Sequence, residues 1–244
     1  MRTKQIKEFS FNVNNNLLYK DFWNDDAWET FTYDCVEKFS KEDGIFIDIG
    51  AWIGPITMYA SRLNKKIYAI EPDKIAYNEL LLNLSLNESI TNTICKQIAI
   101  YNIDGSIELG SESFGNSNTR VNTDRILNVL TPIKDYDTVK CQTVATFMKT
   151  NEIDVDKISM IKIDVEGAEV EIIQDRFFKD NPNIPVHLSL HPPLFKQESY
   201  SASIKAIYDF CFNYKYFISE RGSSITDVLN TQGFYSIMLS NNPI

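Results

Sequence analysis

The stretch GIFIDIGAWIGPITMYA, from Gly44 to Ala60, constrains the fold more than any other part of the chain. A continuous apolar run, as in a strand covered on both faces, meets Gly50 and Gly54 and then takes on the spacing of an amphipathic helix. Strand, tight turn and helix form the first unit of an open α/β sheet. Glycines serve there where the turn must bend and where a ligand or the strand approaches the backbone closely. The helix that begins at the turn directs its free N–H groups into the crevice above the strand ends. The alternation continues along the chain. KKIYAIEP reads as a second strand ended by Pro72, and TNTICKQIAIY as a third. KIAYNELLLNLSLN between them reads as a helix kept well buried by Ile75, Leu80, Leu82, Leu84 and Leu86. KISMIKIDVEG is a nearly continuous apolar fourth strand, followed by the helix AEVEIIQDRFF. IPVHLSLH is a fifth strand, SIKAIYDFCFNY a helix and GFYSIMLS a last strand. This order predicts an α/β domain with a mostly parallel, Rossmann-like sheet and helices on both faces.

Residues 1–40 are expected to form an N-terminal helical extension, in which NDDAWETFTYDCVEKFS is an amphipathic helix starting at an Asp-rich cap. Residues 41–244 are expected to be a single domain, with a polar insert at about 110–138 of the kind that is either functional or disordered. The formal net charge of −9 argues against a phosphate-backbone partner, so no nucleic acid is expected. Cys35, Cys95, Cys141 and Cys211 form no CxxC pair and read as reduced core thiols. The N-terminus lacks the apolar core of a signal peptide, and no segment has the length of a membrane span. A cytoplasmic protein is the expectation.

The turn itself narrows the chemistry. Glu71 ends the second strand about 20 residues past the first glycine, where an acidic residue suits two ribose hydroxyls. GAWIG is not the G-x-G-x-x-G of dinucleotide sites: Trp52 obstructs the close approach of a pyrophosphate, and Asp48 would repel it. A ribose joined to an ammonium and a sulfonium, as in S-adenosylmethionine, suits this acid-lined turn better than NAD. The cofactor contacts expected are Asp48, Gly50, Ala51, Trp52, Gly54, Glu71, Pro72, Ala99 and Asp164. An ordinary βα turn with core-packing glycines is the alternative.

IFIDIGAWIGPITMYA, IYAIEPD, AIYNIDGSIEL, GNSN and MIKIDVEGAEVEII occur in that order. Together they resemble the FkbM family of S-adenosylmethionine-dependent methyltransferases, over about Trp28 to His191. The resemblance implies a class I methyltransferase fold, a seven-stranded sheet with its last strand antiparallel. It also implies O-methylation of hydroxyls, often on sugars, glycans or polyketide-type products. DIGAWIGP and the upstream WET resemble a branch found beside glycan-building genes. The chain departs from the family in carrying Ser189 where many members have a glutamate in the fifth strand.

Methyl transfer from a sulfonium is an in-line displacement that needs the acceptor oxygen dry and aligned, and a hydroxyl is helped by a general base. Strand ends supply Asp48, Asp164, Glu166 and His191. Asp164, Glu166 and His191 are the catalytic candidates, with Asp164 at the methionine end or the acceptor and Glu166 or His191 taking the proton. Glu169 reads as charge at a helix N-terminus, and His187, deeper in its strand, as packing. GNSN at Gly115 to Asn118 suits an acceptor rich in hydroxyls. Trp28 and Glu29 could fold over the cofactor as a lid, although such an aromatic is more often core. Asp164 and Glu166 are oxygen ligands, but nothing else has ligand spacing, so no required metal is expected. The partner expected is a small-molecule or glycan hydroxyl acceptor, and a homodimer is left open. The alternatives are an NAD-dependent Rossmann oxidoreductase or epimerase, and a non-catalytic nucleoside-binding member.

Overall fold

A computed structural model describes residues 1–121, 133–195, 199–230 and 233–243. The chain begins with an antiparallel hairpin, β1 (Arg2–Ile6) and β2 (Phe9–Val13), with Ile6 opposite Phe9. This corrects the expectation of a helical extension. Lys4 and Ile6, then Phe11 and Val13, are the buried positions, which is the two-residue period of a strand. Asp25 and Asp26 start no helix; Asp25 instead ends the helix Lys20–Asn24, and Glu29 precedes Thr30–Phe39. Lys4 Nζ donates to the Asp25 carbonyl at 3.0 Å and to Asp26 Oδ1 at 2.7 Å, tying the hairpin to the loop. The amphipathic helix runs only from Thr30 to Phe39, after a short one at Lys20–Asn24.

The strands that follow are β3 (Ile45–Ile49), β4 (Lys66–Ile70), β5 (Thr93–Lys96), β6 (Ala99–Ile100), β7 (Gly105–Ser111), β8 (Arg120–Val121) and β9 (Asp135–Gln142). After them come β10 (Ile158–Ile163), β11 (Val186–Leu190), β12 (Tyr216–Ser219) and β13 (Tyr235–Ser240). Among the described residues the central sheet has seven strands, in the order β12-β13-β11-β10-β3-β4-β5. From β11 to β5 all neighbours are parallel, and β13 runs antiparallel to both β11 and β12. The expected class I methyltransferase sheet, with a reversed last strand, is therefore what forms. Every residue of β3, β10, β11 and β13 is buried, as strands with layers on both faces must be. Ile45, Ile47 and Ile49 pack into the core on one face, with Phe147, Ile172, Phe177 and Phe210. Phe46 and Met160 face the other, with Phe11, Trp23, Val36 and Tyr59.

The run read as one third strand divides into β5 and β6, and β6 leaves for a second sheet ordered β6-β9-β7-β8. The described parts of the expected polar insert belong to this sheet: Gly110 and Ser111 end β7, and β9 begins at Asp135. Residues 122–132 of that insert lie outside the described residues. The helix Lys74–Ser85 is a surface helix rather than a well-buried one. Ile75 and Leu82 are 50% and 41% exposed, and the inward positions are Ala76, Glu79, Leu80 and Asn83. Glu79 and Asn83 face in because the residue after β2 supplies partners. Asn14 donates through Nδ2 to Glu79 Oε1 at 2.9 Å and through its backbone N–H to Asn83 Oδ1 at 2.8 Å.

Candidate active site

The carboxyl ends of β3, β4, β10 and β11 open onto a cavity of about 260 Å³. Its floor is the glycine turn. Gly50 (φ +81°) lies so close to β10 that a Cβ there would sit 1.7 Å from the Asp164 carbonyl oxygen. The N–H groups of Gly50 and Ala51 both donate to the Ile70 carbonyl, at 2.9 and 3.0 Å, which binds the turn to β4. Trp52 takes the left-handed conformation (φ +49°), and its backbone N–H donates to Glu71 Oε2 at 2.8 Å. Pro55 starts the helix Pro55–Ser61, where its missing N–H costs nothing. Glu71 Oε1 accepts from the Asp73 N–H at 2.8 Å. Each oxygen of this buried carboxylate thus keeps a lone pair for a ligand. Burial pushes the Glu71 pKa up to about 8 against these backbone hydrogen bonds. Pro72, Ile98 and Ala99 supply an apolar wall beside it.

The segment Gly115 to Asn118 is fastened over the turn. Trp52 Nε1 donates to the Gly115 carbonyl at 2.9 Å. Asp73 caps the following helix through Oδ1, while its Oδ2 accepts from the Gly115 N–H at 2.6 Å and from Thr119 Oγ1 at 2.7 Å. Asn116, Ser117, Thr119 and Arg120 line the cavity as a result.

The far end of the cavity is a charged cluster. Lys162, buried in β10, donates to the Gly50 carbonyl at 2.9 Å and pairs with Asp48 Oδ1 at 3.2 Å and Asp164 Oδ2 at 3.4 Å. Burial opposes its charge, but Asp48, Asp164 and Glu29 hold it as an ammonium. Asp48 Oδ2 accepts from Thr57 Oγ1 at 2.6 Å. His191 Nδ1 lies 2.7 Å from Glu169 Oε1, while Nε2 faces Glu166 Oε1 at 3.6 Å and Asp164 Oδ1 at 3.7 Å. Burial disfavours the imidazolium, but Glu166, Glu169 and Asp164 outweigh it and push the His191 pKa up to about 10. Glu166 is raised to about 7, by burial first and then by Asp164 and Glu169. Burial also acts on Asp164, but Lys162 and then His191 hold its carboxyl below the ordinary range. His187 is neutral: burial and then Lys162 push it down to about 3, and Nε2 lies 3.1 Å from Thr32 Oγ1.

Asp164, Glu166 and His191 line one cavity with Gly50, Ala51, Trp52, Glu71, Pro72 and Ala99. Asp48 and Gly54 are not among its lining residues. Asp48 is fully buried behind Lys162, and Gly54 (φ +93°) begins the helix against Leu80. The ligand atoms of Asp164, Glu166 and His191 lie within 4.8 Å of one another, a set that could hold a metal. Sequence spacing hid it because the histidine comes from the next strand. Sequence reasoning also missed Lys162, whose signal is a lysine inside an otherwise apolar covered strand, and the anchoring role of Asp73. Glu29 and Trp28 line the cavity as well.

Residues 48–225 match the family described as the Methyltransferase FkbM domain. No curated protein matches the sequence. Among solved structures, the chain is similar to an FkbM methyltransferase from Methylobacillus flagellatus KT, with 12% identity and a TM-score of 0.49. That alignment covers 82% of this chain and 44% of the other, so the chain spans less than half of that protein's length. It is also similar to a precorrin-6y C5,15-methyltransferase from Geobacter metallireducens GS-15 (12% identity, TM-score 0.44, covering 95% and 94%). A third is M. jannaschii TYW2, solved in complex with AdoMet (12% identity, TM-score 0.42, covering 97% and 82%).

Proposed function

The chain belongs to the FkbM family of methyltransferases, whose methyl donor is S-adenosylmethionine, and from that premise we propose that it methylates a hydroxyl group of a sugar, glycan or glycosylated metabolite. The cavity suits the donor on its own geometry. The free lone pairs of Glu71 suit two ribose hydroxyls, and Pro72, Ile98 and Ala99 suit the flat face of an adenine. Bound there, S-adenosylmethionine supplies an electrophilic methyl group on a sulfonium. A dinucleotide would need close backbone approach at the middle of the turn, where Trp52 stands.

The observation that carries the hydroxyl reading is Glu166. Its pKa is raised to about 7, and it sits beside a histidine that already holds its proton. A carboxylate poised near neutrality is suited to take the proton of an alcohol as the oxygen attacks. His191 is then a cation that holds Asp164 and Glu166 in position, not the base. Asn116, Ser117 and Thr119 offer hydrogen bonds of the kind a polyol accepts and donates. Asp164, Glu166 and His191 could also hold a divalent cation; transfer without a metal is part of this proposal, so turnover is expected to survive EDTA. The protein, supplied with methyl-13C-labelled S-adenosylmethionine and a panel of hexosides and nucleotide-activated hexoses, is expected to give methoxy carbon signals. Label found only in N-methyl or C-methyl products would overturn the reading.

A further inference from the structure

We propose that Glu29 holds the α-ammonium of the cofactor's amino-acid end, which makes the N-terminal segment part of the binding site; this rests on S-adenosylmethionine being the cofactor. Glu29 precedes the first residue of the family-matched segment, 48–225, yet it lines the same cavity as Gly50, Glu71 and Asp164. It is the residue before the helix Thr30–Phe39, in the left-handed conformation at φ +55°. For a non-glycine residue this backbone is strained and persists where the surroundings over-determine it. Two sets of contacts hold it. The Glu29 carbonyl accepts from the Tyr33 N–H at 3.0 Å. Trp28 packs on Phe22 with ring centroids 4.5 Å apart and on Trp52 at 6.3 Å, pinning the segment to the glycine turn.

The carboxylate is held on one side only. Oε2 accepts from Thr32 Oγ1, and Oε1 has no hydrogen-bond partner among the described residues. Its electrostatic neighbours are Asp164, Lys162 and Glu220. The one cation of that set, Lys162, is already shared by Asp48, Asp164 and the Gly50 carbonyl. Asp164 also faces the His191 imidazolium, so Glu29 is the carboxyl at the β10 end of the cavity that pairs with no cation among the described residues, and burial and then Asp164 raise its pKa in the absence of one. Glu71, which suits the ribose, lies at the β4 end, with β3 between. A ligand that places its ribose at Glu71 and extends across the turn brings its amino-acid end to Glu29 and Asp164. The group that fits between two carboxylates is a cation with several donors, which an α-ammonium is.

Calorimetry with three adenosine thioethers tests this. S-adenosylhomocysteine carries the amino-acid end, its des-amino analogue lacks only the ammonium, and 5′-methylthioadenosine lacks the whole end. Glu29→Gln is expected to weaken S-adenosylhomocysteine about 10-fold or more and to leave 5′-methylthioadenosine unchanged. Wild-type protein is expected to prefer S-adenosylhomocysteine over the des-amino analogue by a similar factor, and the lack of that preference counts against the proposal even if the variant does not fold. Unchanged binding of S-adenosylhomocysteine by Glu29→Gln, equal loss of 5′-methylthioadenosine, or no wild-type preference for the ammonium would overturn the proposal. Wild-type protein that binds none of the three would remove the cofactor assignment, and the proposal with it.

Discussion

At the scale of single residues, the site depends on carboxylates whose partners decide their work. Glu71→Ala removes the acceptor offered to the ribose and also strands the N–H groups of Trp52 and Asp73. Hydrogen bonds contribute about 0.5–1.5 kcal/mol each, and two ribose hydroxyls would lose theirs. The dissociation constant of S-adenosylhomocysteine, measured by calorimetry, is accordingly expected to rise at least 10-fold; an unchanged value would show that the ribose is held elsewhere. Glu71 was legible in the sequence because its distance from the glycine turn carries the information. Lys162 was not, since the strand around it reads as continuous core and only the fold brings Asp48, Asp164 and the Gly50 carbonyl to its ammonium. Asp48 was read as a cofactor contact for the same reason. A carboxylate at a strand end looks free until the lysine behind it is seen.

Secondary-structure elements follow the same logic. The central strands were readable because burial on both faces leaves an unbroken apolar run. The helix Lys74–Ser85 misled because its leucines suggested the inward face, whereas Asn14 selects Glu79 and Asn83. Asn83 also donates to the Ile53 carbonyl at 2.9 Å, which anchors the end of the glycine turn. Asn83→Ala is therefore expected to destabilise the protein by about 1–3 kcal/mol, because buried partners lose their hydrogen bonds. Leu82→Ala, at a position 41% exposed, is expected to cost less than about 1 kcal/mol. Urea denaturation of the two variants measures the difference, and a larger loss for Leu82→Ala would reverse this assignment of faces. The hairpin was illegible for a related reason. Its period of two is short, carries polar residues, and adjoins a stretch with stronger helical spacing.

For the whole molecule, the charged cluster ties stability to pH. A histidine whose pKa is higher folded than unfolded binds its proton more tightly in the fold. The stabilisation from His191 is thus complete below its unfolded value of about 6.5 and is lost as pH rises through about 10. Glu71, raised to about 8, adds a loss of the same sign above its unfolded value of about 4.3. The melting temperature is expected to fall between pH 7 and pH 10. His191→Asn is expected to melt lower at pH 7, with a flatter dependence above it, and an equally steep variant would show that His191 is not the group involved. Under the proposed function, the crevice over β3, β4 and β10 is an adenosyl site built on the glycine turn. Calorimetric titration of the wild-type protein with S-adenosylhomocysteine, and separately with NAD, tests it most directly. The expected result is one-to-one binding of the thioether and no heat with the dinucleotide; heat with NAD alone, or with neither, would contradict it.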